Sequence, residues 1–290
     1  MSNDQEYLND LKASATPFKL YNLLIIGVMV IVFLGSWHGS EMSISSLMEG
    51  WHHMVDYLSG NPDIENSSFF PPSTDGSNIE KYILSMIETL MMAVVALVIS
   101  VIVAIPLSFL ASRNIVEILI PGKTWFHISI KNAIYSVAML FANIFRSVNE
   151  LVWALIFVSA VGLGPMAGIL ALGIHTAGVL TKLLSEGNEA IDPGPVEALR
   201  TTGAGFIKVI CYAVLPQTMP HYISMILYRF ESDVRSAAIL GFVGAGGIGF
   251  YLFDKIRSFE NGDVTTIIII IVATVWIIDK ISANIRKRFI

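Results

Sequence analysis

Four charged residues fall within seven positions of an otherwise apolar stretch: Arg229, Glu231, Asp233 and Arg235. A second apolar run is interrupted by Arg146-Ser147-Val148-Asn149-Glu150. A guanidinium presents a planar fork of donors that fits phosphonate or phosphate oxygens two at a time. Arg229 or Arg235, with Arg146, therefore has the chemistry to pass an oxyanion along, with Asn149 and Glu150 holding the arginines in place. Glu150 would also stop the anion from binding too tightly to leave. The bland alternative is equally chemical. Arg229–Asp233 and Glu231–Arg235 are both spaced i,i+4, so the charges can neutralise one another and lock helices together. His175 either joins this group or packs as a neutral side chain.

The elements that must position these residues are membrane helices. Of 290 residues, 54% are hydrophobic and only 14% charged, where a soluble domain carries about 25% charged residues. That apolar excess exceeds what one core can hide and reads as lipid-facing surface. Six spans are expected: around 23–34, 83–110 (with Pro106 inside it), 133–161 broken at 146–150, 166–184, 216–240 and 264–279. The acidic leader (Asp4, Glu6, Asp10, with Lys12 and Lys19 near the span) lacks a small-residue cleavage site after it, so the first span reads as a retained helix.

Basic residues set the orientation. Residues 38–80 hold seven acids and no Lys or Arg, whereas Arg113, Lys123, Lys131 and Arg286-Lys287-Arg288 mark other segments as basic. Both termini are thus expected in the cytoplasm, with the 38–80 and 241–263 loops outside; Lys255 and Arg257 run against this. In the first loop Ile44, Leu47, Met48, Trp51, Met54, Val55 and Leu58 recur at helical spacing, predicting an amphipathic helix that lies on the membrane surface or packs on the bundle.

Other chemistries find little support. Gly244-Ala245-Gly246-Gly247-Ile248-Gly249 fits a dinucleotide-binding glycine pattern, but it follows a membrane helix and Ile269 stands where the acidic residue belongs. Gly122-Lys123-Thr124 resembles the end of a phosphate-binding loop, but Glu117 occupies the place of its first glycine. Energy for transport must then come from a partner. Ser147 with His175 is the one tempting hydrolase pair and lacks a motif, and the six histidines show no ligand spacing. No metal, cofactor or nucleic-acid partner is expected. Cys211, the single cysteine, reads as a small packed residue. An ion-coupled transporter or channel would not need the polar segment that follows.

That segment is 187–216. Pro195 suits the first position of a helix, Glu197 its first turn, and Gly203 a left-handed end. A second short helix over 205–213 is expected next, with Leu215-Pro216 opening the fifth span. Two short helices in a cytoplasmic loop have the shape to dock into a groove of another protein. Glu197, Ala198, Gly203, Leu215 and Pro216 stand in the register of the "EAA loop" of ABC-importer permeases, departing at Leu199 and Ala213. The chain resembles that family over about 80–285. RSVNE (146–150), GLGPMAGILALGIHTAGVLTKLLSE (162–186) and LYRFESDVRSAAILGFVGAGGIG (227–249) look like the phosphonate-importer branch; methionine-type permeases share Val243-Gly247 but usually carry Pro at the place of Asn149.

The resemblance implies an all-α type I ABC-importer permease with six transmembrane helices in the bacterial inner membrane. It implies a homodimer, two cytoplasmic ATPase subunits that bind ATP and Mg, and an external solute-binding protein. Residues 195–213 would couple ATPase closure to the pathway. Residues 1–80 form a tail, first span and outer loop, and 81–290 the transport core. Gly244, Gly246, Gly247 and Gly249, on the outer side, would form a gate or a loop that meets the delivery protein, or a simple turn. Phosphonate is the expected solute, with phosphite, phosphate esters or an amino acid as alternatives.

Overall fold

The computed structural model describes residues 20–40, 43–60 and 67–288, and every regular element among them is helical. The leader, with Lys12 and Lys19, and Glu41 lie outside the described residues. The chain divides into two units, one ending at Leu58 and one beginning at Ser59.

In the first unit, α1 (Leu20–Gly39) is apolar on all sides, which suits lipid contact all round. The expected amphipathic helix forms as α2 (Ile44–Ser59). Leu47, Met48, Trp51, Met54, Val55 and Leu58 share one face of it, opposite Glu49, His52, His53 and Asp56.

The second unit contains α3 (Gly76–Leu110), α4 (Arg113–Leu119), α5 (Trp125–Ser147), α6 (Glu150–Val161), α7 (Pro165–Glu189) and α8 (Pro193–Thr201). It continues with α9 (Phe206–Val209), α10 (Leu215–Leu240), α11 (Ile248–Arg257) and α12 (Asn261–Arg286). Helices α1, α3, α5, α7 and α12 are each long and apolar enough to cross a bilayer. A sixth crossing is made if α10 and α11, bent by 48° at their joint, count as one span.

Two expectations about spans need correction. The third run does break where the sequence indicated, at Val148-Asn149, but α5 begins at Trp125 and is by itself long enough to span. Residues 241–249 are not an extended loop. They form a tight joint, with Gly244, Gly246 and Gly247 at φ +81°, +82° and +73°, after which the helix resumes as α11. Side chains at those three positions would be strained, so glycine is required there.

The centre of the unit is the contact between α3 and α7. Ser100 Oγ donates to Gly173 O at 2.9 Å and Ser112 Oγ to Ser185 O at 3.3 Å. Both bonds link residues 73 apart, so the two helices run parallel. Ala93, Ala96 and Ala104 on α3 and Ala167, Ala171 and Ala177 on α7 are fully or nearly buried. Small residues let the backbones approach where lipid supplies no hydrophobic drive between helices. Outward, Val94, Val98 and Ile102 of α3, Leu140 and Phe141 of α5, and Ile268, Ile269, Val272 and Trp276 of α12 remain exposed. In a bilayer this is the lipid-facing surface.

The segment before α3 is fastened to the start of α12. Ser73 N donates to Gly262 O at 3.0 Å, and Thr265 and Thr266 donate to Phe69 O and Ser73 O at 2.9 and 2.8 Å. Lys255, which opposes the charge rule, is neutralised locally by Glu260 at 2.6 Å and Asp263 at 3.5 Å.

Packing of α5 on α7 also depends on one glycine. A Cβ at Gly178 would lie 2.6 Å from Phe145 Cβ, 2.7 Å from Arg146 N and 2.8 Å from Ala142 O. Two of these are backbone atoms, which cannot step aside as a side chain tip can. Gly178→Val is expected to destabilise the protein by about 1–3 kcal/mol or more through overpacking, read as a lowered Tm in lipid nanodiscs.

Candidate functional site

Two constellations predicted from sequence are built by this fold: a polar layer inside the bundle and a helical loop at the end of α7. The layer sits where α6, α7 and α10 meet. Asn149 accepts from Leu151 N at 2.9 Å through Oδ1 and so caps α6. The cap turns Glu150 into the bundle. One Glu150 oxygen accepts from Ser236 Oγ of α10 at 2.7 Å, and the other lies 3.5 Å from His175 Nε2 of α7. The His175 Nδ1 donates to Val148 O at 2.9 Å, a carbonyl whose neighbourhood the break in the helix has opened. His175 therefore closes the break as well as packing.

One position further along α7, Thr176 Oγ1 donates to Asp233 Oδ1 at 2.7 Å. Arg229 Nη2 donates to both of them at 3.0 Å. This closed triangle is withdrawn from solvent, with Asp233 at 0% and the Arg229 side chain at 11% exposure. Arg229–Asp233 is the i,i+4 pair expected from spacing. The other expected pair does not form. Glu231 instead takes Arg286 of α12 at 2.7 Å, and exposed Arg235 lies 3.5 Å from Asp279 of the same helix. Helix α12 packs along α10 and presents a partner to each, and these cross-helix partners displace the local pair.

Arg146, expected to join Arg229 or Arg235, makes no hydrogen bond with either. Arg146 is exposed and donates from Nε to Asn143 Oδ1 at 3.1 Å, while Asn149 and Glu150 serve the cap and the α7–α10 contacts. Thr176 and Ser236 were missed in the sequence because a hydroxyl in a membrane helix ordinarily bonds its own backbone and carries no spacing signal.

The glycine joint reaches the same bundle. Gly164 N donates to Gly244 O at 2.9 Å, and Ile248 N to Thr89 Oγ1 at 2.9 Å. Gly246 lies against Pro165, Gly247 against Thr89, and a Cβ at Gly249 would overlap Ala238 O. The joint thus threads between α3 and the turn that precedes α7.

In the loop after α7, helix α8 starts earlier than expected. Asp192 Oδ1 accepts from Gly194 N at 2.9 Å and caps α8, so Pro193 is its first residue and Pro195 its third. Glu197 falls in the second turn, outside reach of the amino-terminal dipole. The far end matches expectation: Gly203 has φ +78°, with Gly203 N donating to Arg200 O at 3.0 Å and Ala204 N to Leu199 O at 3.3 Å. The second short helix does not stand alone. It runs from Phe206 through a wide turn at Ile210–Val214 straight into α10. Pro216 and Pro220 lack the N–H groups that a regular turn would use, and the wide turn absorbs that loss.

A separate core holds this loop rigid. Val196, Val209, Ile210, Ala213 and Val214 pack with Ile115 and Ile118 of α4. Gln217, just past Leu215-Pro216, accepts from Asp192 N at 2.9 Å and donates to Ala213 O at 2.8 Å, tying α8 to α10. Pro195, Glu197, Ala198 and Gly203 remain exposed, beside a cleft of about 360 Å³ lined by Asn114, Glu117, Glu189, Glu197 and Arg200. Cys211 is exposed, contrary to expectation, because it lies on the outer side of a turn whose inner side is Val209, Ile210, Ala213 and Val214.

A bundle of membrane-spanning helices is the architecture that the comparisons match. Residues 119–289 fit the family "Binding-protein-dependent transport system inner membrane component". The chain belongs to this family. The permease is 34% identical over 262 residues to the phosphite transport system permease protein PtxC of Stutzerimonas stutzeri, covering 90% of this chain and 87% of that one. It is 55% identical over 122 residues to the putative cryptic phosphonate transport system permease protein PhnE2 of Escherichia coli, covering 42% of this chain and 100% of that one. Its fold matches a chain of the inward-facing MetNI methionine ABC transporter with TM-score 0.62, 21% identity and coverage of 75% of this chain and 100% of that one. The permease is thus an ABC-importer membrane subunit, and membership implies ATPase and solute-binding partners.

The two arginine environments make opposite demands on stability. Asp233→Ala leaves Arg229 buried without its counter-charge and is expected to cost about 3–5 kcal/mol. Arg235→Ala removes an exposed, long pair and is expected to cost about 0–1 kcal/mol. Denaturant or thermal unfolding of the two variants in the same lipid checks the contrast.

Proposed function

We propose that the permease forms the membrane pathway for phosphonate or a related phosphorus oxyanion, delivered by an external binding protein and moved at the expense of ATP hydrolysed by partner subunits. The observation that carries this reading is similarity over nine-tenths of the chain to a phosphite permease. Arg229 in the α6–α7–α10 layer supports it, since a cation at membrane depth is costly and usually functional. Arg146, exposed at the end of α5 beside the break, supplies a second cation along the way. In this reading the chain has both termini in the cytoplasm and works as a homodimer with two ATPase subunits. Residues 81–290, with the 67–75 segment fastened to α12, form the transport core. The break at Val148-Asn149 and the joint at 241–247 are the places where the pathway opens, because neither has continuous helix to hold it shut.

The exposed face of α8 docks on the ATPase. Its own core and the Gln217 link make it a lever, so a push on Glu197 and Ala198 travels into α10 rather than dissipating in a soft loop. The test is uptake of labelled methylphosphonate into proteoliposomes, with binding protein outside and ATPase plus ATP inside. Glu197→Arg is expected to reduce ATP-dependent uptake at least tenfold and to weaken copurification with the ATPase, while Tm stays unchanged because the side chain is exposed. Uptake that persists without ATPase overturns the reading.

A further inference from the structure

The Arg229–Asp233 ion pair is only half made. Nη2 and Oδ1 are bonded, but Arg229 Nε and Asp233 Oδ2 are both buried and without a hydrogen-bond partner. One is a donor and the other an acceptor, and they belong to the same pair. Thr176 accounts for the asymmetry. By donating to Oδ1 and accepting from Nη2, it pins the two bonded atoms and leaves the outer atoms of each group open. In a bilayer no water reservoir covers such atoms, and an unmade buried hydrogen bond costs about 1–3 kcal/mol, more for charged groups. Both atoms are buried in this conformation, so an occupant reaches them only after neighbouring helices part.

We infer that Arg229 Nε and Asp233 Oδ2 form a donor–acceptor pair that selects the singly protonated form of a phosphorus oxyanion. A P–O⁻ oxygen accepts from Nε–H, and the P–OH of the same molecule donates to Oδ2. No proton changes owner. A phosphonate, phosphite or phosphate monoanion carries both groups on adjacent oxygens. Sulfate and fully ionised phosphonate carry only acceptors, so they meet Asp233 Oδ2 with like charge and without a hydrogen bond. The carboxylate, which by charge alone would repel every oxyanion, thereby becomes the specificity-determining group, and Thr176 a positioning residue that keeps Oδ2 free. This rests on the oxyanion reading above and adds the protonation state that the pathway accepts.

The test is binding of labelled methylphosphonate to the permease–ATPase complex in nanodiscs without binding protein, at a pH below the second ionisation of the phosphonate. Competitors are unlabelled methylphosphonate, sulfate and dimethylphosphinate, the last a single anion with two acceptor oxygens and no P–OH. Dimethylphosphinate is expected to compete about tenfold or more weakly than methylphosphonate, the value of one charge-assisted hydrogen bond. Asp233→Asn offers an N–H at the same place and is expected to bring the two competitors level. If that variant does not fold, the wild-type ratio decides alone. Equal competition in the wild type overturns the inference and assigns the open atoms to a water. Absence of binding, with ATP-driven methylphosphonate uptake intact, overturns this site and leaves the transport reading. Absence of uptake overturns the transport reading itself.

Discussion

Inside a bilayer no water waits to satisfy a polar group, so every break, bend and charge in this bundle has to find its partner on a neighbouring helix. Helix α7 supplies most of them. Its glycines and alanines bring the backbones of α3 and α5 close, and its Gly173 and Ser185 carbonyls accept hydroxyls from α3. Its His175 closes the gap between α5 and α6, and its Thr176 bonds both members of the ion pair of α10. Remove α7 from the centre, and the broken helices would each expose backbone that lipid cannot tolerate.

The same constraint explains why irregularity is confined to two places. Continuous helices pair their own backbone groups, whereas the break at Val148-Asn149 and the joint at 241–247 need outside help. The first receives it from an asparagine cap and a histidine; the second from Thr89, which accepts from Ile248 N, and from Gly164, whose N–H donates to Gly244 O. The first lies against the polar layer; the second lies against α3 and the turn before α7. The irregular segments are thus held by a few hydrogen bonds, beside helices held by close packing.

At the other end the physics changes, because water is present and exposed charge is cheap. The α8 loop is rigid for a different reason: a small apolar core shared with α4 and a glutamine that bridges two helix starts. Its outward face is free to carry Glu197 and Ala198 to a partner. The wide turn at Ile210–Val214 makes loop and span one body, which is a stronger connection than two short helices in series.

The sequence by itself determined what depends on local chain chemistry. The apolar runs set the spans, the period of Ile44–Leu58 set α2, the polar string 146–150 marked the break, and Gly203 marked a left-handed helix end; each is decided within a few residues of itself. Register with known permeases singled out the 187–216 segment. Only the tertiary structure decided which partner each charge takes. Spacing allowed Glu231–Arg235 as readily as Arg229–Asp233, but α12 brings Arg286 and Asp279 against α10, while α7 brings Thr176 against the second pair alone. Likewise nothing local shows that 241–249 is a joint between two helices, or that Cys211 is exposed. A helix fixes which residues share a face, but what that face meets is set by elements distant in the chain, and in a membrane that meeting decides whether a charge is a brace, a site or both.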